Sequence, residues 1–202
     1  GEAVFLDTLH NLESKKIIPL GAAESDIKIF EKNGIRLAVI VASDVRDNTD
    51  INQKSYEVFD SNKIKGKIKK IKNDVDWVLL YLHWGKEDCV AANDYQSGLI
   101  DEFKSCGANF IIGHHPHIFY PVEVGNNFLS APSLGNFVFD LCWDDRLTRS
   151  GILHLDLGKD VFAAFFTPIQ LTGNGIPKPS GNKELLKPGT FIPYVNGADF
   201  SS

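Results

Sequence analysis

The feature that most constrains the fold is a pair of nearly all-apolar runs separated by one helical pattern. Residues 75–82 (VDWVLLYL) and 109–112 (NFII) are both typical of short buried strands. Between them, residues 94–106 place apolar side chains on one helical face, and Gly107 ends the pattern. A strand, a helix and a strand in this order normally form a crossover between parallel strands. The sequence therefore predicts an α/β fold with a parallel pair at its centre.

Flanking patterns predict further helices and strands. Helices are expected at residues 2–16 and around the isoleucines at 64, 68 and 71, because apolar residues recur there at three- and four-residue spacing. An Asn33-Gly34 pair between apolar runs at 26–30 and 35–41 predicts a β-hairpin. Further strands are expected at 128–130, 151–157 and 161–169, with the last two joined through Gly158.

The chain has the length and composition of one ordinary globular domain. It has 202 residues, of which 43% are hydrophobic and 23% are charged. We predict a domain over residues 1–172 and a loop-rich tail over 173–202, where Gly and Pro are dense. Residues 44–54 are polar and are interpreted as a surface loop. No apolar stretch approaches the roughly 20 residues that span a bilayer, so no transmembrane segment is predicted in this chain.

Charge and cysteine content exclude several classes of protein. The net charge is −5, and the only basic run is 63–72, so nucleic acid is not an expected partner. That run is interpreted as a solvated helix face, with contact to a polyanion as the alternative. Cys89, Cys106 and Cys142 are odd in number and form no CxxC pair, which argues against a disulfide framework or a structural zinc site.

Four of the six histidines follow the two central strands directly. His83 follows the first strand, and His114, His115 and His117 follow the second. Ligands in open α/β sheets bind at the carboxyl ends of the strands, and parallel strands bring those ends to one edge. We therefore expect the imidazoles of both groups to meet there.

Local geometry selects three of these histidines. His115 precedes Pro116, which favours an extended backbone, and residues two apart on an extended chain point the same way. His115 and His117 are thus expected to face one point, with His114 facing elsewhere. His83 adds a third imidazole, and such a set suits Mn, Zn or Fe. The alternative is that these are hydrogen-bonded or surface histidines of loops.

Three further residues are candidates for catalysis. Glu87 could add an oxygen ligand or accept a proton, and His114 could donate a proton to a leaving group. Asn136 follows Gly135 and could orient a ligand or a neighbouring histidine; the alternative is a tight turn that opens an apolar strand. A bound divalent metal would lower the pKa of its water and polarise a carbonyl or phosphoryl oxygen.

The same segments resemble the CapA (PgsA) family of capsule and poly-γ-glutamate synthesis proteins. The resemblance extends over about residues 1–180. It is carried by residues 82–87 (LHWGKE), Gln96, residues 111–117 (IIGHHPH) and residues 133–140 (SLGNFVFD). The family fold is similar to metallophosphoesterases, which implies a two-sheet sandwich flanked by helices in an α/β/β/α order. In that comparison His83 falls on an isolated histidine ligand, and His115 and His117 fall on a closing His-x-His pair.

The resemblance also implies a function and a difference from the family. It implies a metal-dependent phosphoesterase-like hydrolase of a bacterial cell envelope or cytoplasm, acting on a phosphorylated substrate or an anionic polymer. The alternative is a non-catalytic subunit that works with capsule synthase subunits. The family's early Gly-Asp and Asn-His motifs are not found in this sequence. We therefore expect the first strands, and about half of the metal ligands, to be missing.

Overall fold

The computed structural model describes residues 2–22, 27–46, 56–140 and 143–192. The helices are α1 (Glu2–Ser14), α2 (Ser61–Ile71) and α3 (Asp94–Cys106), and a short 3-10 helix covers Asp145–Thr148. The first six strands are β1 (Lys28–Lys32), β2 (Ile35–Ser43), β3 (Trp77–His83), β4 (Phe110–His114), β5 (Val122–Val124) and β6 (Leu129–Ala131). The remaining strands are β7 (Arg149–Leu157), β8 (Phe162–Leu171), β9 (Pro177–Pro179), β10 (Glu184–Leu186) and β11 (Phe191–Ile192).

The strands form two sheets. The larger sheet has the order β1-β2-β3-β4-β6-β5-β11, and β2, β3, β4 and β6 run parallel to one another. The smaller sheet has the order β10-β8-β7, and β9 also pairs with β8. The parallel pair predicted at the centre of the fold is β3 and β4, with α3 between them in the chain.

The two sheets pack face to face through aromatic side chains. The rings of Trp77 and Phe110, from the larger sheet, lie 5.8 and 5.1 Å from the ring of Phe162 in the smaller sheet. The indole Nε1 of Trp77 also donates a hydrogen bond to the carbonyl oxygen of Gly158, at 2.6 Å. Burial of several aromatic rings between the sheets supplies much of the apolar surface that stabilises this half of the core.

Helices α2 and α3 cover the opposite face of the larger sheet. Successive residues of a strand point to opposite faces, so Leu80 and Leu82 of β3 face the helices while Trp77 faces the smaller sheet. Ile68 of α2 and Phe103 of α3 are fully buried in the helix-side cluster. The predicted α/β class, with two sheets and flanking helices, is confirmed.

Local sequence signals fix several element boundaries as predicted. Helix α3 begins with a capping box in which Asn93 and Gln96 each accept a hydrogen bond from the other's backbone, and it ends at Gly107 with φ +115°. Asn33 and Gly34 have φ values of +55° and +75°, and β1 pairs antiparallel with β2 around them. The predicted hairpin of β7 and β8 is also present.

The Gly- and Pro-rich end contributes strands as well as loops. Strands β9 and β10 pair with β8, and β11 pairs with β5 of the larger sheet. Strand β9 is difficult to predict from the sequence because it contains Pro177 and Pro179, and proline is tolerated in strands mainly at edges.

Cys89 and Cys106 are free thiols, whereas Cys142 and most of the predicted 44–54 loop lie outside the described residues. No described helix is long and apolar enough to cross a membrane.

Candidate metal site

The carboxyl ends of β3 and β4 bring the histidines to one edge of the sheet. His83 and His114 are register partners at the last positions of these strands. The backbone N–H of Trp84 then donates to the carbonyl oxygen of His114 at 3.0 Å. Because both strands end at the same level, the residues that follow each strand share one side of the molecule, as the sequence predicts.

Three of the predicted ligand rings lie side by side. The ring of His115 is 4.9 Å from that of His83 and 6.2 Å from that of His117, measured between centroids. Glu87, His115 and His117 each present one ligand atom, and those three atoms lie within 4.8 Å of one another. Bonds of roughly 2.0–2.2 Å place ligand atoms about 3–4 Å apart around one ion, so small side-chain rotations would close the set. These three donors therefore fit a divalent ion. His83 lies next to His115 but is not one of the three residues whose ligand atoms lie within 4.8 Å of one another.

The backbone at these histidines differs from the prediction. The prediction of an extended backbone at His115 is wrong, because φ is +103° at His115 and +63° at His117. The chain folds back sharply around Pro116, whose carbonyl oxygen accepts a hydrogen bond from the N–H of Asp88 at 3.2 Å. That bond ties the loop after β4 to the loop after β3. It therefore explains why Glu87 reaches the Nδ1 atom of His115, at 4.0 Å.

Asn136 orients one of the histidines. Its Oδ1 lies 2.8 Å from Nδ1 of His117, and its Nδ2 donates to the carbonyl oxygen of Leu147 at 3.0 Å. Since an amide oxygen only accepts, the proton of His117 lies on Nδ1 and its Nε2 is left to face a ligand.

The turn before Asn136 requires glycine. Gly135 has φ +74°, and a Cβ there would lie 2.7 Å from the carbonyl oxygen of Arg149. Residues 137–140 are exposed and form no strand.

Two imidazoles of the site, those of His83 and His115, favour the uncharged form that binds metals. Partial burial, followed by the neighbouring imidazoles, lowers the pKa of His83 to about 4. Burial also lowers the pKa of His115, although the Glu87 and Asp44 carboxylates oppose the shift. At neutral pH, Glu87 therefore lies beside a neutral ring rather than in an ion pair. Metal ligands must be deprotonated, so these two rings need lose no proton at neutral pH to accept an ion.

His114 lies apart from the ligand group. Its ring lies 4.9 Å from the ring of Tyr81, with the two planes tilted by 38°, and its Nε2 is buried with no hydrogen-bond partner among the described residues. Burial lowers the pKa of His114, which favours the neutral imidazole. The role of proton donor stays a prediction for this residue.

Asp44 is a carboxylate near the site that the sequence interpretation missed. It follows β2 directly, and its backbone N–H donates to the carbonyl oxygen of His83 at 2.8 Å. Burial raises the pKa of Asp44, and the nearby His115 imidazole acts in the opposite direction. Its position after a parallel strand is the same signal that identified His83. Residues 44–54 are mostly polar, so Asp44 does not stand out from the carboxylates of a surface loop in the sequence.

Comparison with known proteins gives one matching family model and two similar relatives. A family model described as "Bacterial capsule synthesis protein PGA_cap" matches residues 1–141, which include the whole histidine cluster. The "PGA biosynthesis protein CapA" of Bacillus subtilis is 32% identical over 196 residues, covering 92% of this chain and 51% of that protein. The "Capsule biosynthesis protein CapA" of Bacillus anthracis is 28% identical over 187 residues, covering 86% and 45%. The chain thus spans about half the length of these relatives.

Solved structures give weaker similarities. One is titled "GAP50 the anchor in the inner membrane complex of Plasmodium"; it has a TM-score of 0.41 and 13% identity, covering 80% of this chain and 54% of that one. A hypothetical protein from Thermus thermophilus has a TM-score of 0.39 and 13% identity, covering 84% and 66%. Similarities of this size carry no conclusion about function.

Proposed function

This chain belongs to the bacterial capsule synthesis family PGA_cap, and we propose that it is a metal-dependent, phosphoesterase-like hydrolase acting in capsule or poly-γ-glutamate synthesis. The observation that supports the proposal is the group of Glu87, His115 and His117, whose ligand atoms lie within 4.8 Å of one another. A cluster of imidazoles and a carboxylate suits Mn, Zn or Fe.

Each side chain of the group has a proposed task. His115 and His117 hold a divalent ion together with Glu87, and His83 completes the set from the neighbouring strand. Asn136 holds His117 in the correct tautomer. A bound divalent ion supplies a water of lowered pKa and a positive charge next to a phosphoryl or carbonyl oxygen. His114 is the proposed proton donor to the leaving group.

Metal content tests this proposal directly. Elemental analysis of the purified protein, after incubation with Mn, Zn or Fe and removal of free ion, should find bound metal. His115→Ala should lose it, and should also lose hydrolysis of p-nitrophenyl phosphate. His10→Ala is the matched control, since His10 is an exposed histidine on α1 and should change neither result. A folded protein without metal, or equal metal in His115→Ala, would rule the proposal out.

A non-catalytic role in capsule assembly is the second candidate. Phe137 and Val138 are 51% and 71% exposed, and they directly follow Asn136, which contacts His117. Exposed apolar side chains of this kind suit contact with another protein, such as a capsule synthase subunit. A pull-down of synthase subunits that survives EDTA, together with absence of hydrolysis, would favour this candidate.

An anionic polymer is the other partner considered for a non-catalytic role. The lysines of α2 are the proposed contact in that case.

A further inference from the structure

A cavity borders the histidine cluster on the side of β2. It has a volume of about 290 Å³, and His83 is one of its lining residues. The same ring lies 4.9 Å from that of His115, so His83 borders both the cavity and the group of Glu87, His115 and His117. Ligand pockets typically have volumes of roughly 300–1,000 Å³, so this cavity is large enough for one ring-sized group.

The cavity exists because the smaller sheet covers only part of the larger one. Trp77 and Leu79 of β3 belong to the cluster between the sheets, whereas Tyr81 lies two positions beyond Leu79 and is 42% exposed. The chain closes another side at Gly21, where φ is +80° and a Cβ would lie 2.8 Å from Cγ1 of Val41. Close approach of the backbone at this point therefore requires glycine.

The walls of the cavity are mainly aromatic and aliphatic. Leu20, Val41, Tyr56 and Tyr81 supply the large aliphatic and aromatic side chains of the lining. Burial raises the pKa of the Tyr81 phenol, which therefore stays uncharged at neutral pH. Tyrosine rings pack well against the faces of other rings.

Two polar side chains of the walls, Ser43 and Glu57, already have partners. The Oγ of Ser43 donates to the carbonyl oxygen of Val45 at 3.1 Å, and the carboxylate of Glu57 accepts from Nζ of Lys67 at 2.7 Å. Among the described residues that line the cavity, none is a lysine or an arginine. A phosphate or carboxylate group would find no positive charge there, so the cavity does not suit the anionic part of a substrate.

We infer that this cavity binds one uncharged ring, and that it holds the organic group of a phosphoester whose phosphate faces His115 and His117. The inference rests on the proposed hydrolase function and adds the substrate class to it. Val41 and Tyr81 are register partners on β2 and β3, so their side chains lie next to each other on one face of the sheet, and the ring packs against both. Substrates with an uncharged ring beside the phosphate are preferred over those with a charged group at the same place.

Ligand-detected NMR titrations test the cavity without catalysis. The probes are phenol and methyl glucoside, two uncharged single rings, added to the metal-free protein in EDTA. Tyr81→Ala should weaken the binding of either ring roughly threefold to tenfold, as expected for loss of one stacking partner. Val41→Phe should abolish binding by filling the space. Tyr95→Ala is the matched control, because Tyr95 is 59% exposed on α3, away from the cavity lining.

The outcomes separate the inference from the proposed function. Absence of ring binding, or equal binding by Tyr81→Ala and Tyr95→Ala, would overturn the inference. Ring binding that is lost as expected, in a protein that takes up no metal, would support the cavity and refute the hydrolase. If Val41→Phe does not fold, as judged by its melting curve, Tyr81→Ala decides the outcome.

Discussion

The Oδ1 atom of Asn136 lies 2.8 Å from Nδ1 of His117, and this contact joins two loops that are 19 residues apart in sequence. Asn136 is itself 6% exposed and is anchored through Nδ2 to the backbone at Leu147. The ring of His117 is therefore oriented by a buried side chain that does not belong to its own loop. Partners of this kind fix the tautomer of a metal-binding histidine.

Asn136→Ala should weaken metal binding on the order of tenfold to a hundredfold, because His117 loses the group that fixes its proton. The variant should also lose roughly 1–3 kcal/mol of stability, since the carbonyl oxygen of Leu147 is left buried without a donor. Titration with a competing chelator measures the first effect, and urea unfolding measures the second. Asn136→Asp keeps the acceptor for His117 and should bind metal more tightly than Asn136→Ala; a reversed order would contradict the proposed role.

Glu87→Gln should reduce metal affinity on the order of tenfold or more. The change removes the negative charge from the ligand group while keeping the shape of the side chain. Isothermal titration of the metal-free protein measures the effect. Glu102→Gln is the matched control, because Glu102 pairs with Lys65 on the surface and should leave metal binding unchanged. Equal affinities in the two variants would remove Glu87 from the ligand set.

The stability of the metal-free protein should fall as the pH drops from about 6.5 toward 4. The pKa of His83 is lowered from 6.5 to about 4 in the folded state, so the unfolded chain binds more protons between these values. Its contribution is complete above pH 6.5 and is lost as the pH falls. The measurement is the free energy of unfolding in urea with EDTA, at pH 7.5, 6 and 5.

Two variants isolate the part of this pH dependence that belongs to His83. His83→Gln should show a smaller loss of stability between pH 7.5 and 5 than the unchanged protein. His10→Gln should match the unchanged protein, because His10 is exposed on α1. The same slope in all three proteins would show that His83 is not the group that resists protonation.

Gly113→Ala should destabilise the protein by about 3 kcal/mol or prevent folding. A Cβ at this position would overlap the carbonyl oxygen of Pro132 and Nε1 of Trp84, which are hydrogen-bonded to each other at 3.1 Å. Gly66→Ala is the control: Gly66 lies within α2 with no atom within 4 Å of an added Cβ. It should stabilise by roughly 0.5–1 kcal/mol. Urea unfolding compares the two variants.

Elements with local signals could be predicted from the sequence. The cap at Asn93 and the stop at Gly107 directly flank α3, so the signals for both helix ends are local. The sequence accordingly predicts this helix at residues 94–106. The meeting of His83 with His115 followed from strand adjacency alone. Strand β11 could not be predicted, because its two residues pair with β5, far away in the sequence.

The finer geometry of the site depends on contacts between distant loops. The position of Glu87 follows from the hydrogen bond between Asp88 and Pro116, which no periodicity reveals. The sequence leaves open whether residues 135 and 136 form a tight turn or whether Asn136 orients a histidine. The structure has both features, since Gly135 has positive φ and Asn136 is hydrogen-bonded to His117. Single-residue conformations such as φ at His115 are likewise set by the loop as a whole.

His115 and His117 both have positive φ, a conformation that costs a side-chain-bearing residue roughly 1–3 kcal/mol relative to its preferred regions. Glycine at either position would relieve that cost. The backbone conformation alone thus disfavours histidine at both positions. Replacement of either residue by glycine should raise the free energy of unfolding. Under the proposed metal site, this local loss of stability is the cost of placing two imidazoles on one short loop.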